Sequence, residues 1–183
     1  MPRLIVLNGM PAVGKTTLAR RYAADHRLTL VLDLDSIRRL LGGWRDDPTQ
    51  AGLVARELSV PLAGAHLRAG RDVVVPQYLA RPEFLGQLEA VGSEAGADYA
   101  EFVLTDDRDT LFRRFAERTA AAAEPAHVEA GEQIAQLGGE PVLGAMYDRL
   151  LQLINTRPHA QVLHCPEGAA DDVYAQLLGR LDE

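Results

Sequence analysis

The sequence contains a single cysteine, Cys165, and its five histidines never stand four positions apart. One cysteine excludes an internal disulfide and a cysteine metal cluster, and the scattered histidines give no spacing for structural zinc. No apolar run approaches the roughly 18 residues of a membrane-spanning helix. The apolar run from Leu4 to Leu7 is also too short for the core of a signal peptide. We therefore expect a cytoplasmic protein with no membrane segment.

Positive charge and aromatic residues are also scarce. The chain has 19 basic against 26 acidic residues, a formal net charge of −7, and 5% aromatic residues. Such a chain repels a phosphate backbone unless its basic residues are concentrated in one groove, so nucleic acid is a disfavoured partner. All the basic residues are arginine except one, and that single lysine is Lys15.

The 183 residues show short apolar runs that alternate with longer amphipathic stretches. This pattern predicts βαβ units around a parallel sheet, and no linker or repeat divides the chain, so we predict one α/β domain over residues 1–183. The predicted strands are Arg3–Asn8, Thr29–Leu34, Asp72–Pro76, Tyr99–Leu104 and Gln161–Cys165. The predicted helices are Gly14–Asp25, Asp35–Leu41, Thr49–Arg68, Arg81–Glu94, Asp109–Ala121, Pro141–Asn155 and Ala169–Leu181.

Residues 119–140, called the lid segment below, have no strand pattern of their own. They are alanine-rich at first and end at Gly138-Gly139. We interpret them as a mobile helical flap, with a plain surface helix-turn-helix as the alternative.

The strongest motif is Gly9-Met10-Pro11-Ala12-Val13-Gly14-Lys15-Thr16, which fits the phosphate-binding pattern G-x-x-x-x-G-K-[ST] between an apolar strand and a helix. In this pattern the backbone N–H groups and the helix N-terminus surround the phosphates, the lysine reaches the β and γ phosphates, and the hydroxyl holds Mg²⁺. The predicted nucleotide-binding residues are Gly9, Pro11, Ala12, Val13, Gly14, Lys15, Thr16 and Thr17.

The rest of the sequence narrows the class of nucleotide-binding protein. A Ras-type GTPase reads guanine with Asn-Lys-x-Asp, which a chain without a second lysine cannot supply. Motor and remodelling ATPases carry an apolar run that ends in Asp-Glu, whereas the run here ends Val75-Pro76-Gln77. Short single-domain kinases remain.

The phosphate-binding motif, the chain length and the segment Leu32-Asp33-Leu34-Asp35-Ser36 resemble the small P-loop kinases. These include shikimate kinase, gluconate kinase, chloramphenicol phosphotransferase and the kinase module of polynucleotide kinase. The resemblance implies a three-layer α/β/α sandwich with a five-stranded parallel sheet in order 2-3-1-4-5 and a helical lid. It also implies ATP and Mg²⁺ as cofactors.

Asp33 and Asp35 match the Asp-x-Asp of shikimate kinase, where one carboxylate approaches the metal and the other contacts the accepting hydroxyl. Phosphoryl transfer needs a carboxylate that accepts the proton of the alcohol, and we assign that role to Asp35. The alternative is that Asp35 only caps a helix. We predict Asp33, with Thr16, as the metal site.

The acceptor should bind beyond the carboxyl ends of the strands, as ligands do in open α/β sheets. Gln77, Tyr78 and Arg81 follow the third predicted strand and should border this pocket. Arg56 can bind an anionic group on the acceptor or lie on a solvated helix face. Trp44 can form a wall of the pocket or pack in the core.

Arg114 and Arg118 lie four residues apart and share one face of a predicted helix. In the kinases that the chain resembles, the helix that enters the lid carries such arginines. The resemblance implies that Arg114 lies near the base and that Arg118 reaches the transferring phosphate. The alternative is that both form salt bridges with Glu117 or Asp109.

These residues predict an ATP- and Mg²⁺-dependent kinase that phosphorylates a hydroxyl of a small molecule, with Asp35, Lys15 and Arg118 as catalytic residues. An antibiotic, a sugar acid and a nucleoside all fit as acceptors. Two other functions stay open: a polynucleotide 5′-hydroxyl kinase, and a toxin-like or regulatory module that binds the nucleotide without transfer.

Overall fold

The computed structural model describes residues 1–182 and confirms the predicted sheet. Five strands, all parallel, form one sheet in the order β2-β3-β1-β4-β5. In the centre of the sheet, Ile5 of β1 lies between Val74 of β3 and Ala100 of β4. The carboxyl end of β1 therefore opens between its two neighbours, where the strand order places a crevice for a ligand.

The elements follow in alternation along the chain. The strands are β1 (Arg3–Gly9), β2 (Leu30–Val31), β3 (Val73–Pro76), β4 (Asp98–Thr105) and β5 (Gln161–His164). The helices are α1 (Lys15–Asp25), α2 (Leu34–Arg39), α3 (Pro48–Arg68), α4 (Pro82–Glu94), α5 (Arg108–Ala121), α6 (Pro125–Leu137), α7 (Glu140–Thr156) and α8 (Ala170–Leu181).

Alternate residues of β1 face two separate apolar clusters. Ile5 and Leu7 pack on the face that α1, α5, α7 and α8 cover, whereas Leu4 and Val6 face α3 and α4. All four side chains are almost completely buried. Continuous apolar strands of this kind occur where helices cover both faces of a parallel sheet, and the three-layer prediction is confirmed.

The second strand is shorter than predicted. It covers only Leu30–Val31 instead of Thr29–Leu34, because Asp33 already caps the next helix. The Asp33 carboxylate accepts hydrogen bonds from the Asp35 N–H at 3.0 Å and the Ser36 hydroxyl at 2.7 Å. An aspartate at this position stabilises the first turn of a helix, and this local preference ends the edge strand early.

The lid segment contains the end of α5 and a separate helix, α6, which contacts α5 and α7. None of the residues of α6 is fully buried, although Ala130 and Ile134 pack against the core. A helix with so little buried apolar surface is held weakly. No helix in residues 1–182 has the length and hydropathy needed to cross a membrane.

Candidate functional site

The loop between β1 and α1, residues 9–16, forms a cradle at the carboxyl end of the central strand. Gly9, Ala12 and Gly14 all have positive φ angles, of 152°, 68° and 107°. These angles turn the backbone so that the loop closes tightly before α1 begins at Lys15. At Gly9 an added Cβ would lie 2.6 Å from the carbonyl oxygen of Leu104, so no other residue fits there without movement.

Lys15 lies inside this cradle. Its Nζ donates hydrogen bonds to the carbonyl oxygens of Gly9 and Met10, both at 2.8 Å. The only ammonium side chain of the protein is thus held by the loop backbone, at the position where the motif places the terminal phosphates.

The surroundings of Lys15 disfavour its charged form. Burial lowers the pKa of Lys15 to about 7, the nearby Arg118 lowers it further, and the carboxylates of Asp35 and Asp33 partly oppose this shift. The cradle therefore holds a desolvated cation, with a second cation close by and no anion within the loop. An arrangement of this kind favours an anionic ligand, because the ligand would supply the missing negative charge.

Arg118, at the end of α5, supports the same conclusion. Its Nε is buried without a hydrogen-bond partner among residues 1–182, and its guanidinium lies over the ring of Phe115 at 5.5 Å. Burial lowers the pKa of Arg118. A buried guanidinium donor without an acceptor is costly, and an oxyanion would remove that cost. Within residues 1–182 no salt bridge joins Arg118 to Glu117 or Asp109, the partners of the alternative role, and Glu117 pairs with Arg113.

A small cavity of about 120 Å³ lies beside the cradle. It is lined by Val13, Gly14, Thr17, Leu18, Arg114, Cys165, Pro166, Gly168, Ala170 and Val173. The lining is mostly apolar, and Arg114 is its one charged side chain. Such a cavity at the start of α1 suits the base of a nucleotide whose phosphates lie in the cradle.

Arg114 is fixed in this cavity by two bonds. Its guanidinium donates to the carboxylate of Asp106 at 3.1 Å and to the carbonyl oxygen of Cys165 at 2.9 Å. Asp106 is almost fully buried, whereas Glu117 pairs with Arg113 instead. Arg114 thus forms a salt bridge, but with Asp106 and not with Glu117 or Asp109 as the alternative proposed, and this bridge holds Arg114 next to the cavity.

A larger cleft of about 330 Å³ lies on the other side of the cradle. It is lined by Pro11, Leu34, Asp35, Arg38, Gly52, Ala55, Arg56, Gln77, Tyr78, Phe115, Ala130, Gln133, Ile134, Leu137 and Met146. Four residues predicted to bind the acceptor are among them: Asp35, Arg56, Gln77 and Tyr78. Pro11 belongs to the cradle, so the cleft opens directly onto the phosphate-binding loop.

The two aspartates of the Asp-x-Asp segment have different surroundings. Asp33 is the residue that caps α2, and it does not line the cleft. Asp35 lies in the first turn, lines the cleft and pairs with Arg38 at 3.2 Å, with 47% of its side chain exposed. The capping alternative considered for Asp35 therefore applies to Asp33, and the Asp35 carboxylate is available to a ligand.

Two further predicted acceptor residues lie outside the cleft. Arg81 is exposed at the N-terminus of α4, since Pro82 starts that helix and turns the chain away from β3. Trp44 is partly buried, with the guanidiniums of Arg38 and Arg45 over its ring at 5.0 and 4.4 Å. Trp44 is therefore neither a core residue nor a wall of the cleft, but it contacts Arg38, which lines the cleft.

The sequence patterns missed several residues of the site. Arg38 pairs with Asp35, and Met146 accepts a hydrogen bond from the Tyr78 hydroxyl through its carbonyl oxygen at 3.0 Å. Burial raises the pKa of Tyr78 to about 12, so this hydroxyl stays protonated and donates. Arg38 could have been found from its position three residues after Asp35 on a helix. Met146 carries no sequence signal of a binding role.

The oxygen groups near the cradle fit the Mg²⁺ that the resemblance implies. Thr16 is exposed in the first turn of α1, next to Lys15. Both Asp33 and Asp35 are close enough to Lys15 to raise its pKa, which places two carboxylates beside the loop. Hydroxyl and carboxylate oxygens, together with phosphate oxygens, are the ligands that Mg²⁺ prefers.

Comparison with protein families gives one match that covers most of the chain. A family model described as an AAA domain matches residues 4–137, which is more than half of the 183 residues. No curated protein matches the chain in sequence.

Comparison with solved structures gives matches over nearly the whole length. A proposed kinase from Chloroflexus aurantiacus has 18% identity and a TM-score of 0.67, with 99% of this chain and 96% of that one covered. The adenosine-phosphosulfate (APS) kinase CysC of Mycobacterium tuberculosis, in complex with AMPPNP and APS, has 16% identity, a TM-score of 0.62 and coverages of 100% and 98%. The tunicamycin resistance protein of Deinococcus radiodurans has 17% identity, a TM-score of 0.61 and coverages of 99% and 96%. These likenesses confirm the fold of the small P-loop kinases.

Proposed function

The chain belongs to the AAA-domain family, and from that premise we propose that it is a cytoplasmic kinase that transfers the γ-phosphoryl group of ATP to a hydroxyl group of a small molecule. In this chain the apolar strand β3 ends at Pro76 and is followed by Gln77. The acidic pair that remodelling ATPases carry at this point is absent from the sequence. A nucleotide complex is known for the APS kinase of the same fold. The missing acidic pair and the kinase identity of this neighbour favour a kinase over an ATP-driven motor.

One observation carries the proposal: the small cavity and the larger cleft both border the phosphate-binding loop. The cradle with Lys15 has a base-sized cavity on one side and the cleft with Asp35 on the other. Pro11 lines the cleft, and Asp35 acts electrostatically on Lys15. A nucleotide and an acceptor bound in these places would meet at the terminal phosphate, as an in-line transfer requires.

The reaction follows from these positions. The acceptor hydroxyl oxygen forms a bond to the γ-phosphorus, the bond from that phosphorus to the bridging oxygen of ADP breaks, and Asp35 accepts the hydroxyl proton. Lys15 and Arg118 offset the negative charge on the transferring phosphoryl oxygens. Arg38, paired with Asp35 at 3.2 Å, keeps the carboxylate oriented.

Thr16 and Asp33 would hold Mg²⁺, directly or through water, and the ion would supply charge neutralisation at the β and γ phosphates when bound. Asp33 is held by two hydrogen bonds within α2, which fix its carboxylate beside the loop. Arg114 would border the adenine in the smaller cavity.

The acceptor is a small molecule, because the cleft has a volume of about 330 Å³ and residues of α6 and α7 line part of it. One protein of the same fold is a tunicamycin resistance protein, which supports including antibiotics among the acceptors to be tried. A polynucleotide end is a poorer fit, since the net charge is −7 and the cleft has only two cationic residues, Arg38 and Arg56.

The test compares Asp35→Asn with the unaltered protein. In a kinase the variant should lose turnover about 10²–10⁴-fold, because a positioned proton acceptor contributes this much, while its affinity for ATP stays the same. Turnover is measured as ADP release with a panel of small alcohols, and ATP affinity by calorimetry. Asp46→Asn, in the exposed loop before α3, is the matched control.

Each alternative function gives its own result. Phosphorylation of 5′-hydroxyl oligonucleotides but of no small alcohol would replace the proposal with a polynucleotide kinase. ATP binding with no transfer to any acceptor, and no effect of Asp35→Asn, would identify a module that only binds the nucleotide.

A further inference from the structure

We infer that the acceptor is a small amphiphilic alcohol that carries one anionic group as well as an apolar, ring-sized part. This inference rests on the proposed function, because it describes the occupant of the cleft beside Asp35. It is carried by the two different walls of that cleft, which are formed by different helices and have different chemistry.

The wall formed by α5, α6 and α7 is apolar. Its side chains are Phe115, Ala130, Ile134, Leu137 and Met146, and Gln133 is its only polar member. Phe115 belongs to the core and Ala130, Ile134 and Met146 pack against it, but α6 has no fully buried residue and Leu137 is 62% exposed, so part of this apolar surface faces the cleft. Apolar side chains that line a cleft in this way favour an apolar part of the ligand.

The rest of the lining includes the apolar Pro11, Leu34 and Ala55, but it holds all the charged side chains of the cleft, and these carry a net positive charge. Its charged residues are Asp35, Arg38 and Arg56, two guanidiniums against one carboxylate. Arg38 is paired with Asp35. None of the salt bridges within residues 1–182 involves Arg56. One cation is therefore left for the ligand, and a guanidinium pairs best with a carboxylate or a similar anion.

These walls argue against a polyol such as a sugar acid. A polyhydroxylated chain would place several hydroxyl groups against Ile134, Leu137 and Met146, where Gln133 is the one polar side chain of the wall and cannot satisfy them all. A polar group that loses water without a new partner costs free energy, so a polyol would bind weakly. A volume of about 330 Å³ lies at the lower end for ligand pockets and suits one ring with a short polar chain.

The experiment uses four probe alcohols that vary the ring and the anion independently. These are 3-phenyllactate, with both features, lactate, with the anion only, 3-phenylpropane-1,2-diol, with the ring only, and propane-1,2-diol, with neither. Binding to the full chain in the presence of AMPPNP is measured by ligand-observed NMR at concentrations up to 10 mM, and transfer from ATP by phosphorus NMR. We expect the ring and the anion each to tighten binding by about tenfold.

Two variants assign these effects to the walls. Arg56→Gln should remove the advantage of the anion and leave that of the ring, whereas Ile134→Gln should do the reverse. Arg68→Gln and Leu62→Gln, both exposed on α3 and outside the cleft, are the controls and should change neither.

The inference is overturned if propane-1,2-diol binds as tightly as 3-phenyllactate, if none of the four binds, or if the cleft variants behave like the controls. Failure of the proposed function looks different. In that case the ring and the anion would still tighten binding, and the variants would still separate the two effects, but no probe would receive a phosphoryl group from ATP.

Discussion

The cradle and the lid segment are neighbours around one site, but they are built in opposite ways. The cradle, residues 9–16, is held by backbone geometry at the end of a buried strand, with Lys15 bonded to two carbonyl oxygens of its own loop. The lid segment, residues 119–140, is held mainly by side chains. Glu129 pairs with Arg45 at 3.0 Å and with Arg39 at 3.6 Å, and Glu124 pairs with Arg20 at 3.2 Å.

Under the proposed function, this difference would separate binding of the nucleotide from closure of the lid segment over the acceptor. Ion pairs with exposed partners contribute little free energy and break easily, whereas a strained backbone loop packed on a buried strand does not rearrange. We therefore expect changes in the cradle to have large effects on the nucleotide and changes at the lid to have small effects on the acceptor. The four predictions below test this contrast, starting with the largest effect.

Replacing Lys15 with methionine should lower turnover by about 10²–10³-fold, the usual effect of removing one preorganised donor from developing charge. The fold should remain, because the methionine keeps the length and removes a desolvated ammonium. Turnover with ATP is measured together with ATP affinity by calorimetry, and both should fall. Arg21→Met, on the outer face of the same helix, is the control. Equal ATP affinity in the two variants would contradict the assignment of the cradle.

The next effect concerns stability on the nucleotide side. Arg114→Met leaves the buried carboxylate of Asp106 without its cation, and we expect a loss of about 3 kcal/mol in the free energy of unfolding. The neighbouring Arg113→Met removes two pairs between exposed groups, with Glu117 and Glu167, and should cost less than about 1 kcal/mol. Urea denaturation measures both values. If the two variants lose the same amount, the Arg114 pair has no special role in this cavity.

The contrast between cradle and lid also explains what could be predicted from the sequence. The cradle is contiguous, and its residue types are dictated by backbone angles and a single cation, so Gly9, Gly14 and Lys15 were recognisable in the sequence. The sheet order followed from the resemblance and is confirmed. Recognition of the cradle and prediction of the sheet order both depend on local or repeated features of the chain.

The acceptor side depends on contacts between distant segments, which leave no local signal. Arg38 and Met146 lie more than 100 residues apart and line the same cleft. Arg81 was expected near the cleft from its place after β3, but it is exposed at the start of α4 and does not line the cleft. The short β2 was missed because capping by Asp33 competed with the strand pattern. In each of these cases tertiary packing or a helix cap determined the observed structure. Neither leaves a local pattern in the sequence.

A smaller effect is expected where the cradle meets β4. Gly9→Ala places a methyl group 2.6 Å from the Leu104 carbonyl oxygen at a φ of 152°, so the free energy of unfolding should fall by about 1–3 kcal/mol. Gly86→Ala is the control, because that glycine is exposed inside α4 with nothing within 4 Å of an added Cβ. It should stabilise the protein by about 0.5–1 kcal/mol. Thermal denaturation measures the change in stability of both variants, and the two changes should have opposite signs. If both variants change the stability in the same direction, the cradle tolerates rearrangement.

The smallest effect should come from the lid. Glu129 is 18% exposed and its partner Arg45 is 71% exposed. The Glu129→Gln substitution should therefore cost at most about 1 kcal/mol of the free energy of lid closure. This cost corresponds to a rise of about fivefold in the KM of the acceptor, with kcat unchanged. Glu132→Gln, one turn further along α6 on its exposed side, keeps the same charge change without the contact and should have no effect. Hydrogen exchange of α6 should become faster only in the first variant.

If both variants raise the KM alike, the effect comes from net charge near the cleft. A fall in kcat with Glu129→Gln would instead mean that the ion pairs with Arg39 and Arg45 position Asp35 through α2, and the lid would then belong to the chemistry as much as the cradle does.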